Sequence, residues 1–260
     1  MSDQYNEFFE RANSSIAFSK YCADVYNVDL TQDGFSDQRE LDKMIEVARI
    51  SSTDTVLDIG CGNGKIDEYI NSKTAASITG IDNSASAVSH AQKISNNVLR
   101  FFTGDINTLV LERNYDVIIL IDSIYFSNDY DRTLRQLYGH LAEGGRLVLM
   151  YSEFLFNKDE QRRLGPQDTR IAETIKKNNW RSSNEDLTQN LFQLMRKKRI
   201  ASEDHRTELE SEGNQWLFKK IHDESVELTM SYSDFEKFTN RFIYCIEKSE
   251  VLAKFEKVVF

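Results

Sequence analysis

Residues 58–64, which read D-I-G-C-G-N-G, are the part of this chain best suited to bind a ligand. They follow the run T-V-L at 55–57 and precede a helix-like segment that begins at Lys65. The three glycines stand at alternate positions, and glycine can take positive φ and approach a ligand closely because it has no Cβ. A strand, a glycine turn and a helix form the first half of a βαβ unit, whose ligand crevice lies at the strand's carboxyl end. We therefore expect a cofactor at this loop.

Two phosphate-binding motifs resemble this loop, and neither fits it. A dinucleotide site has the pattern G-x-G-x-x-G, but here the third glycine comes one residue early, and Asp58 would repel a pyrophosphate. A P-loop has four residues between its glycines and then Lys and Ser or Thr, whereas three residues separate Gly60 from Gly64 and Ile66 follows Lys65. An acid beside a glycine turn favours a cationic or zwitterionic ligand, such as an amino-acid head group. A tight turn with a purely structural role is the alternative.

Three more apolar runs, at 77–82, 101–105 and 115–122, also end on an acid. Asp82 comes 24 residues after Asp58, which is about the spacing at which a nucleotide-binding fold places an acid on the ribose hydroxyls. An acid at that position selects a ribose without a phosphate. The other two acids are Asp105 and Asp122. A single acid at a strand end usually caps a turn or helix, but four in series indicate a crevice lined by carboxylates.

At this point the chain resembles the class I S-adenosylmethionine-dependent methyltransferases. The matching segments are D-I-G-C-G-N-G (58–64), G-I-D (80–82), G-D-I (104–106), I-D-S (121–123) and L-A-E-G-G-R-L-V-L-M (141–150). The resemblance covers about residues 50 to 152, and the flanking segments resemble a bacterial small-molecule branch. One departure is Ala142-Glu143, where the family usually has Lys-Pro before the paired glycines. The turn itself is retained.

The resemblance implies an α/β fold with a Rossmann-like, doubly wound sheet of seven mostly parallel strands. Their implied order is 3-2-1-4-5-7-6, with the last strand antiparallel. The implied parts are an N-terminal helical cap (1–49), a cofactor-binding core (50–187), a helical insert (188–240), and a closing strand with a tail (241–260). The insert is expected to form a lid or a dimer surface.

The resemblance also implies S-adenosylmethionine as the methyl donor and S-adenosylhomocysteine as the product. By this resemblance Asp58 and the glycine backbone hold the methionine portion, Asp82 binds the ribose, and Asn83 lies next to the adenine. Asp105 and Ile106 contact the adenine. The full set of implied cofactor-binding residues is Asp58, Gly60, Cys61, Gly62, Asp82, Asn83, Gly104, Asp105, Ile106, Asp122 and Ser123.

The implied chemistry is an in-line displacement in which a small-molecule acceptor, at nitrogen or oxygen rather than carbon, attacks the methyl group. The leaving thioether is neutral, so no oxyanion hole is needed, and positioning and exclusion of water carry the catalysis. No catalytic residue is assigned. The candidates are Tyr21, whose ring could attract a sulfonium, Tyr125, which could shape the acceptor pocket, and His140, near a helix C-terminus that favours a cation. The four histidines are isolated, so no metal site is expected.

Around these motifs, the hydrophobic pattern predicts helices in 4–28, a helix capped by Ser36, and crossover helices at 65–73 and 85–95. The strands between them are expected to be parallel because each connection is helical and too long for a hairpin. Further along, the pattern predicts the fifth strand at 146–151 and an edge strand at 180–187.

Two helices are expected within 188–222, and the last strand is expected at 241–247. The basic run 196–199 lies in the first of these helices. Because acids surround it, we interpret it as a solvated helix face.

Composition limits the partners and the compartment. The chain has 32 Lys and Arg against 42 acids, a net charge of −10, and a pI near 5.0. Nucleic-acid binding requires a concentrated positive face, so nucleic acid is not an expected partner. Cys22, Cys61 and Cys245 are far apart and form no C-x-x-C pair, which favours a reducing cytoplasm. The N-terminus does not read as a signal peptide, and no apolar run reaches the roughly 18 residues of a membrane helix.

We therefore expect a cytoplasmic enzyme that is a monomer or a homodimer and does not bind membranes. Two other functions fit less well. One is a non-catalytic protein that binds S-adenosylmethionine as a sensor or regulator. The other is a nicotinamide-dependent enzyme, which the glycine spacing disfavours.

Overall fold

The structure, a computed structural model, describes residues 2–32 and 34–249. Within these residues one sheet of seven strands has the order β3-β2-β1-β4-β5-β7-β6. Its strands are β1 Thr55–Ile59, β2 Ser77–Asp82, β3 Leu99–Thr103, β4 Tyr115–Ile121, β5 Leu141–Phe154, β6 Arg181–Asp186 and β7 Thr239–Glu247. The helices are α1 Ser2–Ala12, α2 Ile16–Tyr26, α3 Gln38–Ala48, α4 Lys65–Thr74, α5 Ala85–Ala91, α6 Tyr130–Gly139, α7 Arg170–Lys177, α8 Thr188–Asp204, α9 Arg206–Ser211, α10 Gln215–Asp223 and α11 Tyr232–Phe238.

The strand pairing confirms the predicted α/β fold and the predicted strand order. Strands β1 to β5 pair in parallel, and β7 pairs antiparallel with both β5 and β6. The fifth strand is longer than predicted, and its pairing with β4 is irregular between Tyr115 and Val117. The tail expected after the last strand, from residue 250 onward, lies outside the described residues.

The central strands are buried on both faces, as expected for a parallel sheet covered by helices. On β4, Ile118 and Leu120 pack into one hydrophobic cluster, while Val117 and Ile119 pack into another. Successive side chains of a strand point to opposite faces, so these two clusters are the two layers of the core. The carboxyl ends of β1, β2 and β4 are thereby held at one edge of the sheet.

Helix α3 begins one residue later than predicted. Asp37, not Ser36, is its N-cap, and the Asp37 side chain accepts a hydrogen bond from the Glu40 N–H at 2.9 Å. The Ser36 side chain faces the sheet instead, where its hydroxyl lies 2.8 Å from Arg241 Nη2. A carboxylate at the N-cap also complements the positive end of the helix dipole, so it can replace the serine expected there.

Helices α1 and α2 pack against the helices that follow β6. Phe8 and Phe18 share a buried cluster with Leu194 of α8 and Leu217 of α10. The prediction of two helices within 188–222 was wrong: three helices, α8, α9 and α10, cover 188–223. Helix α9 ends before Gly213, which has φ +76, a left-handed conformation that commonly ends a helix.

Candidate functional site

A cavity opens at the carboxyl ends of β1, β2 and β4, where the glycine loop turns into α4. Ten of the eleven predicted cofactor-binding residues line it. They are Asp58, Gly60, Cys61, Gly62, Asp82, Asn83, Gly104, Ile106, Asp122 and Ser123. The fold therefore brings these residues together, and their binding of a cofactor stays a prediction.

The glycine loop has the backbone conformation that its composition predicts. Gly60 has φ +90 and Gly62 has φ +56. A Cβ added at Gly60 would lie 2.4 Å from Ser123 Cβ, so a side chain cannot fit there. The Gly60 N–H donates to the Ile81 carbonyl at 2.7 Å, which fixes the loop against β2. The loop is therefore a rigid turn whose backbone faces the cavity.

Asp82 holds this loop and also lines the cavity. Its Oδ2 accepts the Gly62 N–H at 2.9 Å, and its Oδ1 accepts the Ser84 N–H at 2.8 Å. Burial raises the pKa of Asp82, and the backbone N–H groups oppose that rise. Each carboxylate oxygen has more than one lone pair, so both can still accept a hydroxyl from a ligand.

Asp58 has a second acid next to it. Asp67, in the first turn of α4, is fully buried, and Asp58 is 2 % exposed. Burial raises the pKa of Asp58 to about 7 and raises the pKa of Asp67 well above its usual value, and the charge on Asp58 adds to the rise at Asp67. We did not predict Asp67 from the sequence. The available signal was that Asp67 and Ile70 share the inward face of α4, where an acid is unusual.

Asp122 is paired with an arginine from the last strand. Arg241 Nη1 lies 2.6 Å from Asp122 Oδ1, and Arg241 Nε lies 2.8 Å from Glu40 Oε2. Asp122 has φ +53, a left-handed conformation that is uncommon outside glycine. Burial raises the pKa of Glu40 to about 7, although Arg241 opposes the rise. Arg241 was also missed, although an arginine within the apolar strand β7 was a visible signal.

Asp105 does not line the cavity, in contrast to its predicted role at the adenine. Its side chain is exposed at the rim, and its Oδ1 accepts hydrogen bonds from the Asn107 backbone and side chain at 2.8 and 2.9 Å. A strand-end acid that caps the next turn is the ordinary case, and Asp105 is an example of it. At this strand end Gly104 and Ile106 face the cavity instead.

None of the three catalytic candidates lines the cavity. Tyr21 is fully buried and stacks on Phe18, with ring centroids 5.5 Å apart. Tyr125 is partly buried, and its hydroxyl oxygen accepts the Ser152 N–H at 2.6 Å. His140 follows α6 and lies beside Tyr115, where β4 begins, because the Tyr115 N–H donates to its carbonyl. This is the sheet edge opposite the cavity, so the topology contradicts a catalytic role for His140.

Aromatic and amide side chains that we did not predict complete the cavity. Tyr5 and Phe9 of α1 line it, and Tyr5 meets Phe126 edge to face at 5.5 Å. The Gln32 side chain donates to the Ser36 carbonyl, and its Oε1 has no hydrogen-bond partner among the described residues. These residues lie outside the family motifs, so only their packing identifies them.

Other features of the described residues bear on what the site can bind. No group of three or more His, Cys, Asp or Glu side chains in residues 2–32 and 34–249 is arranged to hold a metal ion. No described helix combines the length and apolar character that crossing a membrane requires. The three cysteines are all buried, and each is a free thiol rather than part of a disulfide.

Comparison with known proteins gives the family. Residues 34–211 match the methyltransferase domain family. Over 107 residues the chain is 36% identical to a malonyl-[acyl-carrier protein] O-methyltransferase of Bacillus anthracis, an alignment that covers 40% of this chain and 39% of that protein. The chain thus spans about two fifths of the length of such curated relatives.

Solved structures share the fold at low sequence identity. The phosphoethanolamine N-methyltransferase 2 of Haemonchus contortus has a TM-score of 0.72 at 16% identity, over 95% of this chain and 60% of that one. The [4+2]-cyclase SpnF has a TM-score of 0.62 at 18% identity, over 82% and 80%. Proteins named for different reactions therefore share this architecture, and the fold alone does not specify the reaction.

The glycine loop, the strand order and the match over residues 34–211 agree with one another. The resemblance to class I S-adenosylmethionine-dependent methyltransferases is confirmed, and the chain belongs to the methyltransferase domain family.

Proposed function

We propose that this chain transfers the methyl group of S-adenosylmethionine to a nitrogen or oxygen atom of a small-molecule acceptor. The observation that carries the proposal is a single cavity lined by the glycine loop, by Asp82 and by Ile106. The glycine loop supplies a backbone that a ligand can approach, Asp82 supplies a carboxylate that can accept hydrogen bonds from a diol, and Ile106 supplies an apolar surface for a nucleobase. The match to the methyltransferase domain family supports the same conclusion.

Each part of the cavity suits one part of this cofactor. The backbone between Gly60 and Gly62 would hold the methionine portion, because no Cβ stands between it and the cavity. Asp82 would accept the two ribose hydroxyls while it keeps its bonds to the loop. Ile106 would pack on the adenine, and Tyr5 and Phe9 of α1 would cover the site from water.

The polar groups of the cavity favour an acceptor that donates hydrogen bonds. Among the described residues that line it are three acids, Asp58, Asp82 and Asp122, and no Lys, Arg or His. Gln32 Oε1 also lacks a donor. An anionic acceptor would add negative charge beside these groups, and Arg241, the cation next to Asp122, is already paired with Asp122 and Glu40. An amine or a hydroxyl would instead donate to them.

When bound, the cofactor supplies an activated methyl group on a cationic sulfur. The acceptor's lone pair would form the new bond to carbon as the sulfur–carbon bond breaks, the pair from that bond would stay on the sulfur, and the N–H or O–H proton of the acceptor would pass to solvent. This chain would align the acceptor with that bond and exclude water. We assign no general base, because Tyr125 and His140 lie outside the cavity.

The experiment has two stages. Calorimetry first measures binding of S-adenosylmethionine and S-adenosylhomocysteine, and NAD serves as the competing ligand. Methyl transfer from labelled S-adenosylmethionine is then measured with amines, alcohols, carboxylic acids and a carrier-bound malonyl group. We expect binding of both nucleosides and transfer to an amine or alcohol.

Three outcomes would contradict parts of the proposal. Binding of NAD alone would refute the cofactor. Transfer to the malonyl group, the substrate in the name of the Bacillus anthracis relative, would refute the choice of acceptor. Binding without transfer to any compound would favour the sensor alternative.

The other expectations about partners stay predictions. The net charge of −10 supports the absence of nucleic acid among the partners, which a retardation assay with labelled RNA and DNA tests. A monomer or a homodimer is expected by size-exclusion chromatography with light scattering. The cytoplasmic location is tested by cell fractionation.

A further inference from the structure

Two acids that face each other pack against the glycine loop. Asp58 is the last residue but one of β1, and Asp67 lies in the first turn of α4, three residues after Gly64. Because α4 begins directly after the loop, its first turn packs against the end of β1. Burial, and then the charges of Asp67 and Asp58, raise the pKa of the Cys61 thiol in the same loop.

Among the residues that the structure describes, no cation acts on this pair. The titratable groups that act on Asp58 are Asp67 and, from β2, Asp82; the one that acts on Asp67 is Asp58. The loop adds the Cys61 thiol, which is neutral. Two enclosed carboxylates without a cation repel each other strongly, and such a pair keeps a proton.

The hydrogen bonding of these two carboxyls also requires that one of them keeps a proton. Asp58 Oδ1 and both carboxyl oxygens of Asp67 are buried, and no N–H or O–H of any other described residue donates to them. Burying an acceptor without a donor costs free energy. The carboxyl proton of one acid, donated to the other, is the one donor available to these atoms within the described structure.

The position of each acid decides which one keeps the proton. Asp58 lines the cavity, whereas Asp67 does not and is fully enclosed by protein. A negative charge is better solvated on Asp58, and a hydrogen bond from Asp67 lowers the pKa of Asp58 while it raises that of Asp67. Both effects place the proton on Asp67.

We propose that Asp67 is a positioning residue of the cofactor site, a neutral acid at pH 7.5 whose O–H donates to Asp58 and holds that carboxylate toward the cavity. A cationic portion of the cofactor then meets one oriented carboxylate rather than two that repel each other. The protonation of Asp67 is a property of the chain alone. Its effect on the cofactor rests on the proposed function.

The test uses the variants Asp67→Asn and Asp67→Leu, with Glu68→Gln as the matched control. Asparagine keeps a neutral donor of similar size, and leucine removes the donor. Glu68 is the next residue of the same helix and is exposed, so its substitution changes one carboxylate in the same turn without touching the pair.

Infrared spectroscopy of the ligand-free chain at pH 7.5 reads the proton directly. We expect the carbonyl band of a protonated carboxylic acid to be weaker in Asp67→Asn than in the wild type and in Glu68→Gln, because any band from Glu40, whose pKa is also raised, is common to all three. If the wild type has no such band, or if Asp67→Asn retains its full intensity, the assignment of the proton is wrong.

Calorimetry with S-adenosylhomocysteine tests the positioning role of Asp67. We expect Asp67→Asn to bind within about threefold of the wild type and Asp67→Leu to bind at least tenfold more weakly, which is about 1.4 kcal/mol. Equal weakening of both variants would overturn the positioning role, and the Asp67→Asn result decides the matter if Asp67→Leu does not fold. If the wild type itself does not bind the ligand, the proposed function fails, and the infrared result still tests the proton.

Discussion

Arg241 binds both carboxylate oxygens of Asp122, with Nη1 at 2.6 Å from Oδ1 and Nη2 at 2.9 Å from Oδ2. The same side chain contacts Glu40, so a single cation holds two buried carboxylates. Burial alone would lower the pKa of Arg241, but Asp122 and Glu40 outweigh it and raise that pKa. The guanidinium therefore stays charged and connects α3, β4 and β7 at the edge of the cavity.

Removing this cation should destabilise the fold strongly. Arg241→Met leaves Asp122 and Glu40 buried with no cation between them, and breaking such a pair costs about 3–5 kcal/mol. The measurement is the free energy of unfolding in urea. The matched control is Arg181→Met, since Arg181 pairs with Glu247 on the surface and its side chain is 83% exposed. Equal losses in the two variants would contradict the structural role of Arg241.

Asp82 should control affinity for the cofactor. Asp82→Ala removes the carboxylate for the ribose together with the bond to the Gly62 N–H, so we expect the dissociation constant of S-adenosylhomocysteine to rise at least tenfold. Calorimetry measures the constant, and circular dichroism checks that the fold is retained. Asp105→Ala serves as the control because Asp105 is exposed and does not line the cavity. An unchanged constant in Asp82→Ala would refute its assignment to the ribose.

Gly60 should tolerate no side chain. Alanine there would place its Cβ 2.4 Å from Ser123 Cβ, at φ +90. We expect Gly60→Ala to lose more stability in urea than Gly144→Ala and to lose detectable cofactor binding. Gly144 has φ +70 with no atom near the added Cβ, so its substitution carries only the backbone strain of about 1–2 kcal/mol. If the two variants were equally stable, crowding against Ser123 would not explain the glycine.

The Asp58–Asp67 pair should make the ligand-free chain less stable as the pH rises. The pKa values of both acids are raised in the folded chain. The pair therefore contributes its full stability below about pH 4, which is the pKa of an aspartate in the unfolded chain. That contribution falls as the pH rises toward 7 and above, because folding opposes ionisation of both acids, and Asp67→Asn removes the part that comes from Asp67. We expect Asp67→Asn to lose less stability than the wild type between pH 5 and pH 8, by about 1 kcal/mol or more.

Urea unfolding at several pH values measures this difference. Glu40 has a raised pKa as well and contributes a slope of the same sign in both proteins, so the difference between them isolates the pair. Parallel slopes in the wild type and Asp67→Asn would show that Asp67 does not contribute.

The local pattern of the sequence predicted the parallel strands, and the resemblance to the methyltransferases supplied the strand order and the set of cofactor-binding residues. Apolar runs, the turn at 58–64 and the lengths of the connections depend on neighbouring residues, and these alone specify parallel strands whose carboxyl ends meet. That is why ten of the eleven residues expected to bind the cofactor lie in one cavity. The start of α3 and the number of helices within 188–222 were missed because short polar segments end or begin helices without a strong pattern.

The ionisation states of the acids in the site could not be predicted from the sequence in the same way. In the sequence Asp58, Asp82, Asp105 and Asp122 look alike, each at the end of a strand. In the structure Asp122 is neutralised by Arg241, 119 residues away, Asp105 caps a turn, and Asp58 shares its surroundings with Asp67.

The ionisation of a carboxyl depends on burial and on which groups lie within a few ångströms, and both are set by the packing of distant segments. The sequence by itself therefore determined where the acids stand along the sheet edge. Only the tertiary structure decided which of them can present a charge to a ligand.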